Sequence, residues 1–120
     1  MRMHLVPAER AERRIIDQEK VCQAIEGLGC LADARAWAQR FAVLSDPTRL
    51  RLLLCIKTAG PISVSDLAVA ADLNDDTVSQ TLRFLRASQT VTNERDGRVI
   101  RYQLADAVIE ELLDRVTSLR

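Results

Sequence analysis

Few residues in this 120-residue chain are equipped for covalent or metal chemistry. Its three cysteines, Cys22, Cys30 and Cys55, form no CxxC pair and are odd in number. That usage fits free thiols in a reducing compartment better than a disulfide framework. On a straight helix Cys22 and Cys30 would lie about 12 Å apart, too far to share an ion bound at about 2.3 Å. Only a break near Gly27 and Gly29, or a second copy of the chain, could bring both to one ion. Cys55 lies inside the apolar run 52–56, where a thiol serves equally well as a small buried side chain. The single histidine, His4, stands at the terminus, so neither a Ser/His/Asp arrangement nor a histidine-rich zinc site can be assembled. An enzyme is not expected. Asp106, Glu110 and Asp114 recur at i, i+4 spacing; such a row could hold a hard cation but needs none as a solvated helix face.

The charge distribution is more informative than the net charge of zero. Residues 77–103 hold five arginines against Glu94 and Asp96, an excess of three, whereas 41–76 and the tail from 104 are acidic. Basic residues gathered on one stretch are the electrostatic footprint of a phosphate-binding surface. Apolar residues at 48% and charged residues at 28% describe one globular domain spanning 1–120. The longest apolar run, five residues from Leu52, is far short of the roughly 20 needed to cross a membrane. Residues 1–14 mix four arginines with two glutamates and lack an apolar block, unlike a secretory signal. A cytoplasmic location is expected.

The elements that would position these residues can be read from periodicity and capping chemistry. A charged amphipathic stretch predicts one long first helix over about 8–28. Ala34, Trp37, Ala38 and Phe41 follow helical spacing, with Arg35, Gln39 and Arg40 on the wet face. Ser45-Asp46-Pro47 opens a third helix, which Gly60-Pro61 stops. Ser63 and Asp66 form a capping-box-like pair before Val64, Leu67, Ala68 and Ala71. Asn74 caps the next helix, in which Val78, Leu82 and Leu85 point inward. Two helices separated by little more than Asp72-Leu73-Asn74 make a helix-turn-helix candidate. The period then changes to two around Asp96-Gly97, a hairpin signal. With Asp96-Gly97 as the two-residue loop, Arg95 pairs with Arg98 and Val91 with Tyr102. A last helix over about 106–119 carries a stripe, Val108, Ile109, Leu112, Leu113, Val116 and Leu119, too wide for an isolated surface helix, which predicts a dimer interface. The fold expected is mostly α with a β-hairpin wing, a winged helix-turn-helix.

At this point the sequence resembles the ArsR/SmtB family of small dimeric winged-helix transcription regulators, from Trp37 to Leu112. The motifs that carry the resemblance are 44–53 (LSDPTRLRLL), 65–68 (SDLA), 77–86 (TVSQTLRFLR) and the wing 95–102 (RDGRVIRY), in family order. The resemblance implies a homodimer built from the first and last helices, about 8–28 and 106–119. It also implies recognition helices in successive major grooves of double-stranded DNA, and regulation by a metal, a metalloid or thiol oxidation.

The chemistry of residues 75–87 agrees in part. With Val78, Leu82 and Leu85 buried, Asp76, Ser79, Gln80 and Arg83 face the other way, with Thr77 at the margin. Gln80 can read adenine, Arg83 guanine or phosphate, and the hydroxyls of Thr77 and Ser79 suit phosphates. Arg95 and Arg98 would tip the wing. Asn74-Asp75-Asp76 departs from the neutral polar residues common in relatives; its carboxylates favour a helix N-terminus and repel phosphates unless they accept from cytosine amino groups. Gln89 stands where a glycine often ends the helix, so a less regular turn is expected.

The family's usual sensor sites are broken at residue level. Ser63-Val64-Ser65 replaces a Cys-x-Cys pair, and serine hydroxyls are poor ligands for soft ions. Asp106 is all that remains of a last-helix zinc site, with Val108 and Leu119 at histidine positions. Phe84 and Ser88 occupy the positions of another branch's cysteines. Cys22 and Cys30 remain as candidate ligands for a thiophilic ion, As(III), Cd(II) or Zn(II), or for nickel. A thiol-redox switch, an effector-independent regulator and a winged-helix protein-interaction module are the alternatives.

Overall fold

The computed structural model describes residues 5–10, 12–29 and 34–119. The chain divides into two compact units, Met1–Arg35 and Ala36–Arg120. No helix among the described residues is long and apolar enough to cross a membrane.

In the first unit a 3-10 turn at Ala8–Arg10 is followed by irregular chain, and α1 runs only from Gln18 to Leu28. The single helix expected over 8–28 is therefore too long. Asp17 explains the late start: its carboxylate accepts from the Lys20 amide at 3.1 Å, and a side chain committed to capping ends the helix behind it. The β-branched pair Ile15-Ile16 just before it adds no helix propensity, and Ile16 is 93% exposed. Gly27 lies within α1, which ends at Gly29. Cys22 is buried. Cys30 and His4 lie outside the described residues.

In the second unit the remaining elements are α2 (Ala34–Leu44, continuing from the first unit), α3 (Pro47–Ala59), β1 (Ile62–Ser63), α4 (Val64–Ala71), α5 (Asp75–Ala87), β2 (Val91–Asp96), β3 (Val99–Leu104) and α6 (Ala107–Ser118). The three strands form an antiparallel sheet in the order β1-β3-β2. The core is built from Leu52, Leu53 and Ile56 of α3, Leu67, Ala68 and Ala71 of α4, Val78, Leu82 and Leu85 of α5, Val91 of β2, and Ile109 and Leu113 of α6. Cys55 packs half-buried against this cluster, which is the packing role its place in an apolar run suggested.

Side chains set the helix boundaries. The Asp46 carboxylate accepts from the Arg49 amide at 2.9 Å with Pro47 in the first turn of α3. At the other end, a Cβ on Gly60 would stand 2.6 Å from the Ile56 carbonyl oxygen, so the chain passes too close there for any side chain.

The structure turns α2 relative to the expected orientation. Trp37 and Phe41 are exposed, with ring centroids 6.3 Å apart. The inward residues are the buried Val43 with half-buried Ala36, Arg40 and Leu44. These also recur at helical spacing, so periodicity alone could not choose between the two faces. Arg40, assigned to the wet face, instead donates from Nε to the Asp106 carboxylate at 3.1 Å. The other Asp106 oxygen caps α6, accepting from the amides of Val108 at 2.9 Å and Ile109 at 3.2 Å. Burial alone would push the Asp106 carboxyl up. The Arg40 hydrogen bond, the two amides and the Arg40 charge outweigh it and hold the group below the ordinary carboxylate value. At the far end of α6, Asp114 pairs with Lys57 of α3 at 2.9 Å. The acidic row of α6 thus carries ion pairs, and no cluster of three or more metal-ligating side chains occurs among the described residues.

Two stability measurements follow. Gly60→Ala should lower the unfolding free energy by about 1–3 kcal/mol in urea titrations, from overpacking against the backbone, whereas Gly27→Ala, with open space around it, should raise it by roughly 0.5–1 kcal/mol. Asp106→Ala should cost about 1 kcal/mol near neutral pH through loss of the cap. Because the native carboxyl titrates below its unfolded value, its contribution is present above about pH 4 and disappears as pH falls through the native value. The stability gap between wild type and variant should therefore close in acid.

Candidate nucleic-acid interface

The polar surface begins with the helix-turn-helix formed by α4 and α5. The Ser63 hydroxyl accepts from the Asp66 amide at 3.2 Å and starts α4. The turn leaves α4 through Asp72 in the left-handed region, φ 55°, a conformation that aspartate tolerates better than most residues. Two backbone bonds close it: Leu73 donates to Ala68 at 2.9 Å and Asp72 to Val69 at 3.4 Å, the Schellman pattern. Arg51 donates to the Ala71 carbonyl at 3.0 Å, so a further end carbonyl of α4 is satisfied. Asn74 then caps α5, accepting from the Thr77 amide at 2.7 Å.

In α5, Val78, Leu82 and Leu85 are fully buried, and Asp76, Ser79, Gln80 and Arg83 are exposed, with Thr77 half-buried. The structure therefore brings these five residues onto one outward face. Asp75 and Asp76 sit in the first turn and Arg86 in the last, each where the helix dipole favours its charge. Arg83 makes no ion pair with any described residue. The turn after α5 is more regular than expected. Gln89 takes φ 61°, and the same two bonds recur, Thr90 to Leu85 at 2.9 Å and Gln89 to Arg86 at 3.0 Å. Glutamine occupies the left-handed position without breaking the motif.

The wing differs from expectation by two residues. Asp96 pairs with Val99, Arg95 with Ile100, Asn93 with Tyr102 and Val91 with Leu104. The loop is Gly97-Arg98, with positive φ at Gly97 only, as in turns that place glycine first. A shift of two preserves the inward and outward alternation, so the apolar pattern could not fix it; the glycine did. Arg95 and Arg98 are both exposed, Arg98 at the tip rather than opposite Arg95. Neither pairs with a described residue, while Arg101 lies 3.7 Å from Asp96.

Thr48, Arg49, Thr81 and Phe84, none of them named from sequence as interface residues, line a shallow hollow of about 340 Å³ with Asp46, Thr77 and Gln80, beside the outward face of α5. The one available signal was Phe84, an aromatic residue off the apolar stripe of its own helix.

The residues that would hold a metal in the three familiar sensor sites do not fit. Ser63 is engaged as a cap, all the acceptor contacts of Asp106 go to Arg40 and two amides, and Phe84 lies beside Arg49.

A helix-turn-helix domain model matches residues 44–88, from the end of α2 to the cap of α5. The transcriptional repressor SmtB homolog of a Synechocystis strain is 33% identical over 107 residues, covering 89% of this chain and 80% of that protein. The HTH-type transcriptional regulator NmtR of Mycobacterium tuberculosis is 39% identical over 85 residues, covering 68% and 70%. Among solved structures, the transcriptional repressor BigR from Xylella fastidiosa superposes with a TM-score of 0.68 at 28% identity, covering 81% of this chain and 93% of that one. A helix-turn-helix, an arginine-tipped hairpin and relatives matched over most of their length lead to one conclusion: the chain belongs to the ArsR/SmtB family of winged-helix transcriptional regulators.

Proposed function

We propose that two copies of this chain, joined through α1 and α6, bind double-stranded DNA in the cytoplasm. Asp76, Thr77, Ser79, Gln80 and Arg83 would face the major groove, and Arg95 and Arg98 the flanking backbone. The observation that carries the reading is the outward face of α5, which sets Asp76, Ser79, Gln80 and an Arg83 with no ion pair among the described residues opposite a fully buried stripe. Gln80 and Arg83 suit base edges, the Thr77 and Ser79 hydroxyls suit phosphates, and Asp76 tolerates only a position where an amino group donates to it. Dimerisation through α6 is supported by what one chain leaves uncovered: Val116 is exposed and Leu119 is 83% exposed on the stripe that Ile109 and Leu113 bury at its other end.

DNA affinity should fall linearly on a log–log plot against salt, because bound phosphates release counterions. Gel shifts with DNA that the protein selects from a random pool supply the measurement. Arg98→Ala should weaken all DNA alike and flatten the slope by about 1, whereas Arg83→Ala should cost tenfold or more on the selected sequence only, roughly 1–3 kcal/mol. No shift at about 50 mM salt would instead favour a protein-interaction module, with Asp75 and Asp76 as its contact residues.

A thiophilic effector would act through Cys22 and Cys30, thiols that can become soft ligands. This assignment is supported by the state of the other sensor positions, which are capped, ion-paired or apolar. Reduced protein titrated with As(III), Cd(II), Zn(II) and Ni(II) should show a thiolate charge-transfer band for at least one ion, lost in Cys22→Ser and Cys30→Ser. A featureless spectrum for all four would leave the cysteines as packing residues, and DNA binding that changes only on mild oxidation would identify a redox regulator.

A further inference from the structure

Arg49 holds a position the sensor and base-reading roles leave unused. Its amide is bound by the Asp46 carboxylate at the start of α3, and its side chain reaches away from that helix. Nε donates to the Val43 carbonyl and a terminal nitrogen to the Ala42 carbonyl, both at 2.9 Å. Both are end carbonyls of α2, the kind a helix leaves without an internal partner. The same guanidinium lies 4.6 Å from the centroid of the Phe84 ring on α5. Phe84 is 47% exposed, so its ring is not held there by the core. One planar group thus ties the end of α2 to the flank of α5, one turn from Gln80 and next to Arg83.

The buried stripe of Val78, Leu82 and Leu85 sets which face of α5 looks inward and leaves only small rotations about the helix axis. A contact on the flank removes that freedom. We propose that Arg49 is a positioning residue for DNA readout: by clamping Phe84 against the end of α2 it sets the rotation of α5, so that Gln80 and Arg83 meet base edges in register. The inference rests on the DNA-binding reading above. Lysine cannot replace it, because an ammonium supplies no flat face to lie on the ring while bonding two carbonyls in plane.

The test compares wild type, Arg49→Lys, Phe84→Leu and the double variant on selected DNA and on random-sequence DNA of equal length, across a salt series, with thermal unfolding alongside. Positioning predicts that each single variant loses about tenfold on selected DNA, with affinity for random DNA and the salt slope unchanged. It also predicts that the double variant is no worse than either single one. Equal losses on both DNAs with a slope flatter by about 1 would overturn it, making Arg49 a phosphate contact. Undiminished selectivity in Arg49→Lys would overturn it as well. Should Arg49→Lys fail to fold, Phe84→Leu decides alone, and retained selectivity there sinks the proposal. If the wild-type protein selects no DNA, the DNA-binding reading falls and this inference falls with it.

Discussion

The burial of Val78, Leu82 and Leu85 along one side of α5 is the constraint on which the interface depends. Each such side chain contributes roughly 1.5–3 kcal/mol when removed from water, and together they make the inward face of the helix non-negotiable. Everything polar on α5 is then displayed by default: Asp76, Ser79, Gln80 and Arg83 are outward because three apolar neighbours are inward. Caps fix where this display begins and ends. Asn74 sets the first turn, and the left-handed Gln89 closes the last. The sheet completes the frame, since Val91 enters the same core and leads directly into the wing.

The features legible from sequence were those determined within a few residues. Asp46, Ser63 and Asn74 all cap where capping chemistry placed them, because a side chain three residues from an amide needs no help from the rest of the fold. The features that were not legible depend on partners far along the chain. The inward face of α2 combines Val43 in the core with Arg40, whose partner Asp106 lies 66 residues away. Either of two helical stripes satisfied the local pattern, and only these distant contacts distinguish them. The hairpin register was ambiguous for a related reason, since both pairings keep Val91 on the core side. The first helix was overestimated because amphipathic charge patterning continued through Asp17, which acts as a stop rather than as one more polar residue.

The candidate site divides along the same line. All five residues named on α5 do share one face, since a single helix dictates it. The hollow that Thr48, Arg49 and Phe84 line beside it required two helices to approach each other, and no spacing rule brings residues 49 and 84 together. The acidic start of α5 shows the two levels in tension. Asp75 and Asp76 suit the helix on which they sit, yet the same carboxylates repel phosphates, so what steadies the helix end works against a polyanion brought to that face.

The double engagement of Asp106 reaches beyond stability. The Asp106 carboxylate is a joint between two helices, with Arg40 on one oxygen and the first amides of α6 on the other. Placing histidines at positions 108 and 119 would supply nitrogens but no free oxygen, since the guanidinium already neutralises the carboxylate. An engineer who wanted zinc responsiveness here would have to evict Arg40 first, and would thereby unfasten α2 from the helix being rebuilt.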